Sequence, residues 1–360
     1  MEFMFKHRIY TALGLMSGTS LDGIDAAIIK TDGHTVKYFG PFATKQFSDK
    51  FRNRLRAELG KEKIPQALQR DLTHLHANLV ETLLSKYDLL SSEIDIIGFH
   101  GQTIHHNPKE HFTLQIGDGA LLAKLLGISV VNNFRSADVK AGGQGAPLTP
   151  VYHRALAQRF VDPTAIVNIG GVANVSFISD GCLLAFDTGP GNALIDDLIK
   201  RKLGKSFDTD GRVARQGKIN EEVLTALSDH SYFNEAPPKS LDRNEFDFSN
   251  NAELSVQDSA ATLVAFTVEA IVRSLEYFPE PPKRWLITGG GRHNSFMMDE
   301  LSRGLRTKVI PVEDVGWNGD ALEAQAFAFL AVRSLLNLPL SFPFTTGVFT
   351  ELTGGDFYSQ

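Results

Sequence analysis

A polar, glycine-containing segment between two apolar segments constrains the fold of this 360-residue chain more than any other feature. Residues 14–25 read GLMSGTSLDGID, and the mostly apolar residues 9–15 and 26–29 flank the polar part. Two apolar runs separated by such a turn predict a β-hairpin. Glycine lets backbone approach a ligand closely, while hydroxyls, amides and carboxylates suit a nucleotide phosphate with its magnesium ion. We interpret the segment as a phosphate-binding loop; a polar hairpin turn without a ligand is the alternative.

The composition is that of a packed globular protein with room for two domains. Hydrophobic residues make up 42% of the chain and charged residues 22%, and 360 residues exceed one ordinary small core. The 36 basic and 42 acidic residues leave a net charge of −6 without a basic block, which argues against nucleic acid or an anionic membrane as the main partner. Cys182 is the single cysteine, so an internal disulfide is excluded and a reducing compartment is expected.

The hydropathy pattern predicts neither a secretory signal nor a membrane span. The first residues carry a short apolar stretch without a small-residue cleavage pattern. No run of about 18 apolar residues occurs anywhere in the chain. We therefore expect a cytoplasmic protein.

The order of predicted elements occurs twice along the chain. Residues 10–42 predict three strands, the first two joined by the glycine-containing turn, and residues 165–186 repeat that order around a second small-residue turn, GGVAN. We interpret the chain as two similar α/β halves whose ligand loops face each other across a cleft. The expected N-terminal lobe is 1–138, joined by the tail 341–360, and the expected C-terminal lobe is 139–340.

A third glycine loop follows a predicted strand at residues 284–288. Gly289, Gly290 and Gly291 would let a flat base or ribose lie against bare backbone. A tight strand-to-helix turn is the alternative, although it would need fewer glycines. Residues 232–248 contain two adjacent prolines and many charges, and we expect them to form a surface excursion.

Several of these strings resemble one family. Residues 14–25 resemble the signature of the anhydro-N-acetylmuramic acid kinase family, within the sugar kinase, hexokinase, actin and Hsp70 superfamily. The same resemblance is carried by FHGQT (99–103), FRSAD (134–138), GGQGAPL (142–148), NIGGVAN (168–174) and FDTGPGN (186–192). It extends from about residue 9 to the end of the chain.

The resemblance implies a two-lobed α/β fold of the actin-like ATPase (ribonuclease H-like) type, with duplicated mixed β-sheet domains and a deep cleft. It implies an enzyme of peptidoglycan recycling that uses ATP, Mg²⁺ and water to convert 1,6-anhydro-N-acetylmuramic acid to N-acetylmuramic acid 6-phosphate. Hydrolytic opening of the anhydro bridge would accompany phosphorylation of O6. The implied ATP-binding residues are Gly18, Thr19, Ser20, Leu21, Asp22, Gly23, Ile24, Asp25, Asn168, Gly170, Gly171, Asn174, Gly289, Gly290 and Gly291.

The resemblance assigns the catalytic base to Asp187. The residue ends a predicted strand and precedes Thr188-Gly189-Pro190-Gly191, so its carboxylate should project toward the cleft. A positioned carboxylate can take the proton of the water that attacks the anomeric carbon. The alternative is that Asp187 only caps the helix that begins near Asn192 or anchors a turn.

Six further side chains are candidates for metal or sugar contacts. Asp22 and Asp25 could bind Mg²⁺ directly or through water, although Asp25 could equally form a local cap or pair. Arg135 follows a strand end and suits the lactyl carboxylate of the sugar, with a salt bridge as the alternative. Other candidates for sugar contacts are His100, Gln102 and Glu323; Glu323 could instead be a solvated acid in the first turn of a helix.

Two other functions remain open at this stage. A conventional sugar kinase of the same fold would phosphorylate a hydroxyl that already exists. A non-catalytic, actin-like nucleotide-binding protein would need no base at residue 187. The apolar last helix and the glycine-rich tail also leave room for a homodimer contact.

Overall fold

The computed structural model describes residues 8–18, 20–243, 245–248 and 253–360. It divides into two compact units. The first comprises Met1–Gln158 and Asp320–Gln360, and the second comprises Arg159–Gly319. Among the described residues, no helix is both long and apolar enough to span a membrane.

Each unit begins with three consecutive strands and continues with helices and further strands. The strands are β1 Tyr10–Ser17, β2 Gly23–Thr31, β3 Val36–Gln46, β4 Ile96–Asn107, β5 Phe112–Ile116, β6 Val130–Asn132, β7 Thr164–Ile169, β8 Val172–Ser179, β9 Cys182–Pro190, β10 Arg284–Thr288, β11 Val309–Pro311 and β12 Asp356–Tyr358. The α-helices are α1 Asp49–Arg56, α2 Gln66–Lys86, α3 Gly119–Leu126, α4 Ser136–Lys140, α5 Pro150–Ala157, α6 Ala193–Leu203, α7 Glu221–Ser228, α8 Val256–Arg273, α9 Ser295–Gly304, α10 Leu322–Leu335 and α11 Pro343–Thr346.

The two sheets share one strand order. In the first unit the path is β12-β6-β4-β1-β2-β3, with β5 attached to β4. In the second unit the path is β11-β10-β7-β8-β9. In each unit the first strand lies antiparallel to the second and parallel to the strand on its other side. The predicted duplication is therefore confirmed at the level of topology, although the halves share little sequence.

Each sheet is buried by apolar side chains of its own unit. Strand β1 is buried along nearly its whole length, which is the pattern of a central strand covered on both faces. Helix α2 contributes Leu68, Leu72, Leu79 and Leu83 to the same core, as their helical spacing predicts. In the second unit, α8 packs Leu263 and Ile271 into the core that also contains Trp285. Each unit therefore has a mixed sheet with an apolar core of its own.

Two glycines in neighbouring strands allow α10 to pack directly on the first sheet. Gly14 of β1 and Gly98 of β4 are register partners. A Cβ on Gly14 would lie 1.7 Å from the Ala324 carbonyl oxygen, and one on Gly98 would lie 2.0 Å from that of Phe327. The helix backbone therefore occupies the space where larger residues would place their side chains, and residues of α10 are buried through most of its length.

This packing explains where the structure differs from the expected lobes. Residues 320–340 were assigned by sequence to the C-terminal lobe, yet they lie in the first unit with α10. Residues 139–158 also lie there, and the Tyr152 hydroxyl donates a hydrogen bond of 2.9 Å to Gln325 Oε1. The sheet contact of α10 cannot be read from local periodicity. The cleft expected between the lobes stays a prediction.

Replacing Gly98 with alanine should lower the free energy of unfolding by about 3 kcal/mol, because the helix backbone must shift to admit the methyl group. Equilibrium urea unfolding measures the change. Gly18→Ala is the matched control in the same unit, since its Cβ would find only Ser20 Oγ at 3.7 Å. Equal stability of the two variants would contradict the proposed backbone contact.

Candidate active site

The first glycine loop joins β1 to β2 at the carboxyl end of β1. The amide of Leu21 donates to the Gly18 carbonyl over 3.2 Å, and Leu21 takes a positive φ of 58°. A Cβ on Gly23 would lie 2.4 Å from the Lys45 carbonyl oxygen, so β3 requires glycine there. The side chains of Leu21 and Ile24 are buried, so a part in ATP binding would fall to their backbone groups. Thr19 lies outside the described residues.

Asp25 lies in a group of acidic side chains. It is the register partner of Met16, and Thr44 donates a hydrogen bond of 2.6 Å to its Oδ1. Burial is the main reason that its pKa is raised to about 6, and the charges of Asp320 and Asp22 add to the rise. A carboxylate whose ionisation is disfavoured beside other acids is a favourable neighbour for a cation. No cluster of three or more His, Cys, Asp or Glu side chains able to hold a metal was found among the described residues.

The middle of β4, where its pairing with β1 ends, is hydrogen-bonded to the first loop. Gln102 Nε2 donates to the Gly18 carbonyl over 3.1 Å. The carbonyl of Gly101 accepts from Ser17 Oγ and lies against His100 Nδ1, both at 2.8 Å. Gln102 is fully buried, and among the described residues its Oε1 has no hydrogen-bond partner. An unsatisfied buried acceptor beside the loop is suited to a donor group of a ligand.

The side chains of His100 and Arg135 contact each other directly and form one interacting pair. Arg135 Nε and Nη2 lie 3.1 and 3.0 Å from His100 Nε2. Burial first, and then the positive charge of Arg135, hold the pKa of His100 well below its ordinary value. The imidazole is therefore neutral, accepting at Nε2 and donating from Nδ1 to Gly101. Arg135 also donates from Nη1 to the Gly145 carbonyl over 2.7 Å.

Glu323 lies in the first turn of α10, where its side chain is exposed. Its neighbours on the helix, Leu322 and Ala324, are buried. Glu323 is thus an exposed side chain in a first turn whose neighbouring side chains are buried.

The second glycine loop, between β7 and β8, packs against the start of α6. The amides of Gly191 and Asn192 donate to the Gly171 and Gly170 carbonyls over 2.9 and 2.7 Å. A Cβ on Gly191 would lie 2.3 Å from the Gly170 oxygen. Backbone thus meets backbone here, and the loop is tied to the helix that follows β9.

The third glycine loop lies beside the second. Gly289 has a φ of 74°, and a Cβ there would lie 2.3 Å from Asn168 Oδ1. A Cβ on Gly290 would have Asn192 Nδ2, at 3.6 Å, as its nearest atom outside the adjoining residues. Strands β7 and β10 are parallel neighbours, so their carboxyl ends place the two loops at one edge of the sheet.

An ion pair supports this third loop, and the sequence analysis missed it. Arg292 is almost completely buried; its Nη1 donates to the Gly289 carbonyl over 2.8 Å, and its Nε donates to Glu313 Oε1 over 2.9 Å. The same oxygen of Glu313 accepts from the Gly319 amide at 3.0 Å. The position of Arg292 directly after three glycines was the only local signal.

Asp187 lies on β9, beside the second loop, and is buried. Its register partner on β8 is Asn174. The Leu241 amide donates to Asp187 Oδ2 over 2.8 Å, and the Asp187 amide donates to the Lys239 carbonyl over 3.0 Å. Helix α6 begins after Asn192, whose own side chain makes no capping hydrogen bond. The bond from the Leu241 amide fits the turn-anchor alternative as well as a positioned base.

The segment that contacts Asp187 was expected to be a surface excursion, and that prediction is wrong for its aromatic side chains. Tyr232, Phe233 and Phe246 are buried with Phe266 and Ala270 of α8 in a separate apolar cluster. The prolines and charges of the segment suggested exposure, whereas its aromatic side chains bury it against the second unit. In each unit a glycine loop thus follows the carboxyl end of the first strand, which has a parallel neighbour.

A family model described as anhydro-N-acetylmuramic acid kinase matches residues 10–360. A protein of that name from Paramagnetospirillum magneticum is 55% identical over 348 residues, covering 96% of this chain and 98% of the relative. A second, from Rhodospirillum rubrum, is 52% identical over 354 residues, covering 96% and 94%.

Similarity to solved structures is remote. The activator of the 2-hydroxyisocaproyl-CoA dehydratase from Clostridium difficile with bound ADPNP is 11% identical, with a TM-score of 0.47 over 91% of this chain and 96% of that one. The sequence matches are of a different order, because they span nearly the whole of each chain at about half identity. The chain belongs to the anhydro-N-acetylmuramic acid kinase family.

Proposed function

We propose that this protein converts 1,6-anhydro-N-acetylmuramic acid, ATP and water to N-acetylmuramic acid 6-phosphate and ADP, in peptidoglycan recycling in the cytoplasm. The observation that carries the proposal is the carboxylate of Asp187, buried and oriented by the Leu241 amide beside the second glycine loop. Family membership and the three glycine loops support ATP as the phosphoryl donor.

Asp187 is the proposed base. It takes a proton from a water molecule whose oxygen bonds to the anomeric carbon, and the bond from that carbon to O6 breaks. O6 then bonds to the γ-phosphorus of ATP, and ADP leaves. Such phosphoryl transfer depends mainly on alignment and on neutralising charge. A buried carboxylate held through its oxygen and its backbone is suited to that demand for alignment.

The loop residues divide between phosphate and adenosine. Backbone amides of residues 18–25 and of Asn168, Gly170, Gly171 and Asn174 are the proposed phosphate contacts, and Gly289, Gly290 and Gly291 are the proposed adenosine contacts. Asp22 and Asp25 are the proposed ligands of Mg²⁺, directly or through water, and the raised pKa of Asp25 in its acidic surroundings supports that choice. Mg²⁺ usually takes one or two carboxylates and completes its shell with water and phosphate oxygens.

His100, Gln102, Arg135 and Glu323 are the proposed sugar contacts. The Arg135 guanidinium is suited to the lactyl carboxylate, and the neutral His100 ring orients it. Gln102 Oε1 is buried and has no hydrogen-bond partner among the described residues, so it can accept from a hydroxyl or amide. A homodimer remains an expectation of the sequence.

Asp187→Asn should lower kcat by about 10³-fold, since the amide cannot take the proton of the attacking water. A coupled ADP-release assay with the anhydro sugar measures turnover, and isothermal titration measures retained ATP binding. Asp180→Asn, an exposed aspartate of the same unit, is the matched control. Near-normal turnover of Asp187→Asn would remove the base assignment.

The enzyme should place a solvent oxygen on the anomeric carbon of its product. Mass spectrometry of the phosphorylated sugar made in ¹⁸O-labelled water detects that oxygen, because bridge opening by water forms a new bond at this carbon. N-acetylmuramic acid and glucose serve as control substrates. Turnover of a control sugar without bridge opening would favour the conventional sugar kinase. ATP binding without turnover of any sugar would favour the nucleotide-binding protein.

His100→Gln should flatten the acid side of the stability curve. The pKa of His100 is held well below 6.5 in the folded protein, so the unfolded chain binds a proton that the folded chain does not. The wild type therefore loses stability as the pH falls below 6.5. Thermal unfolding across that range measures the loss. His34→Gln, at an exposed histidine, should follow the wild type, and identical curves for both variants would contradict a buried neutral His100.

A further inference from the structure

One short segment is hydrogen-bonded to both the backbone and the carboxylate of Asp187. The Lys239 carbonyl accepts from the Asp187 amide, and the Leu241 amide donates to the Asp187 carboxylate. From the other end of the segment, the Tyr232 hydroxyl donates to the Asp187 carbonyl. The backbone amide, the backbone carbonyl and the carboxylate of Asp187 are thus all hydrogen-bonded to residues about fifty positions later in the chain. We refer to residues 232–241 as the Asp187 clasp.

Lys239 holds the clasp together. Its ammonium group donates to the Tyr232 carbonyl over 2.9 Å and lies 4.4 Å from the centre of the Tyr232 ring. The ring of Tyr277 is 5.4 Å away on another element. Lys239 is only 5% exposed, which is uncommon for lysine. Burial lowers the pKa of its ammonium group, so the aromatic faces and the carbonyl have to compensate for lost water.

Tyr232 connects Lys239 to Asp187. Its ring packs against Phe233 and Phe246 in the apolar cluster with α8, which fixes where its hydroxyl lies. Burial, together with the charge of Asp187, raises the pKa of the phenol well above its ordinary value. The hydroxyl therefore stays protonated and keeps its donor role toward the Asp187 carbonyl.

A merely structural segment would not need this arrangement. Buried ammonium groups are costly, and apolar residues of similar volume often stabilise a protein more. Here the ammonium, the phenol and two backbone groups all act on the position of one carboxylate. Proton transfer is sensitive to that position, because a displacement of about 1 Å can cost 10²-fold in rate.

We propose that Tyr232 and Lys239 are positioning residues that hold the Asp187 carboxylate in the alignment needed for proton transfer. The proposal rests on the function proposed for Asp187 as the base. The two side chains touch neither substrate nor nucleotide in this scheme; Lys239 acts through Tyr232, and Tyr232 acts through the backbone of Asp187. Their loss should therefore change kcat and leave substrate affinity nearly unchanged.

The test compares Tyr232→Phe, Lys239→Met and the double variant with Tyr277→Phe. Tyr277 is the matched control, since its hydroxyl bonds to the Phe233 and Glu235 carbonyls of the same segment but not to Asp187. Tyr232→Phe and Lys239→Met should each lower kcat roughly tenfold with KM for both substrates within about twofold. Because the residues act in one chain of contacts, the double variant should fall little below either single variant.

Amide hydrogen exchange provides a readout that does not depend on turnover. Peptides that contain Asp187 or Leu241 should exchange faster in Tyr232→Phe and Lys239→Met than in the wild type. The reason is that the hydrogen bonds of the Asp187 and Leu241 amides open more often. Tyr277→Phe should leave their exchange unchanged. Tyr232→Phe keeps its ring in the apolar cluster, so it remains informative if Lys239→Met fails to fold.

Failure of this inference and failure of the proposed function are distinguishable. If the wild type turns over the anhydro sugar, Asp187→Asn is inactive and Tyr232→Phe equals Tyr277→Phe in kcat, the positioning role is overturned and the function stands. If the wild type is inactive on the anhydro sugar, the proposed function fails and the positioning role fails with it. If Asp187→Asn is fully active while the wild type turns over the anhydro sugar, the base assignment and the positioning role both fail, and the overall reaction stands.

Discussion

The contact between α10 and the paired glycines of β1 and β4 is the constraint on which the first unit depends. With no side chain at Gly14 or Gly98, carbonyl groups of the helix approach the centre of the sheet directly. The helix is consequently buried along most of its length. It follows the whole second unit in sequence and returns the chain to the first unit. The first glycine loop follows β1, and His100 lies in the middle of β4. The contact therefore also positions the strands that carry the candidate residues of the first unit.

Hydrogen bonds to backbone groups and side chains hold the two glycine loops and Asp187 of the second unit in place. The second loop is bound by the amides that begin α6, and the third is braced by Arg292 and Glu313. Asp187 is bound by a segment whose aromatic residues are buried with α8. Apart from Arg292, which directly follows the third loop, these supports lie about 20 to 50 residues away in sequence from the group that they support. Rigid placement of that kind is what phosphoryl transfer with an attacking water would require.

The candidate loops could be located from sequence because each is a local pattern: an apolar strand, then small residues, then another element. The duplicated strand order and the hairpin around the first loop were readable for the same reason. The supports of the loops were not readable. Residues 232–248 looked like an exposed excursion because prolines and charges outweighed their few aromatic residues, and Arg292 gave no signal of the ion pair that buries it.

The sequence by itself determined the family, the pair of mixed sheets and the loops that carry glycines and carboxylates, since these depend on residues close together in the chain. Only the tertiary structure decided that α10 belongs to the first unit and that His100 is neutral beside Arg135. It also decided that the Tyr232 hydroxyl bonds to the Asp187 carbonyl and that the Lys239 ammonium bonds to Tyr232. The physical reason is that burial, and the hydrogen bonds that compensate for it, join residues far apart in sequence, and no local pattern records which distant groups will share one core.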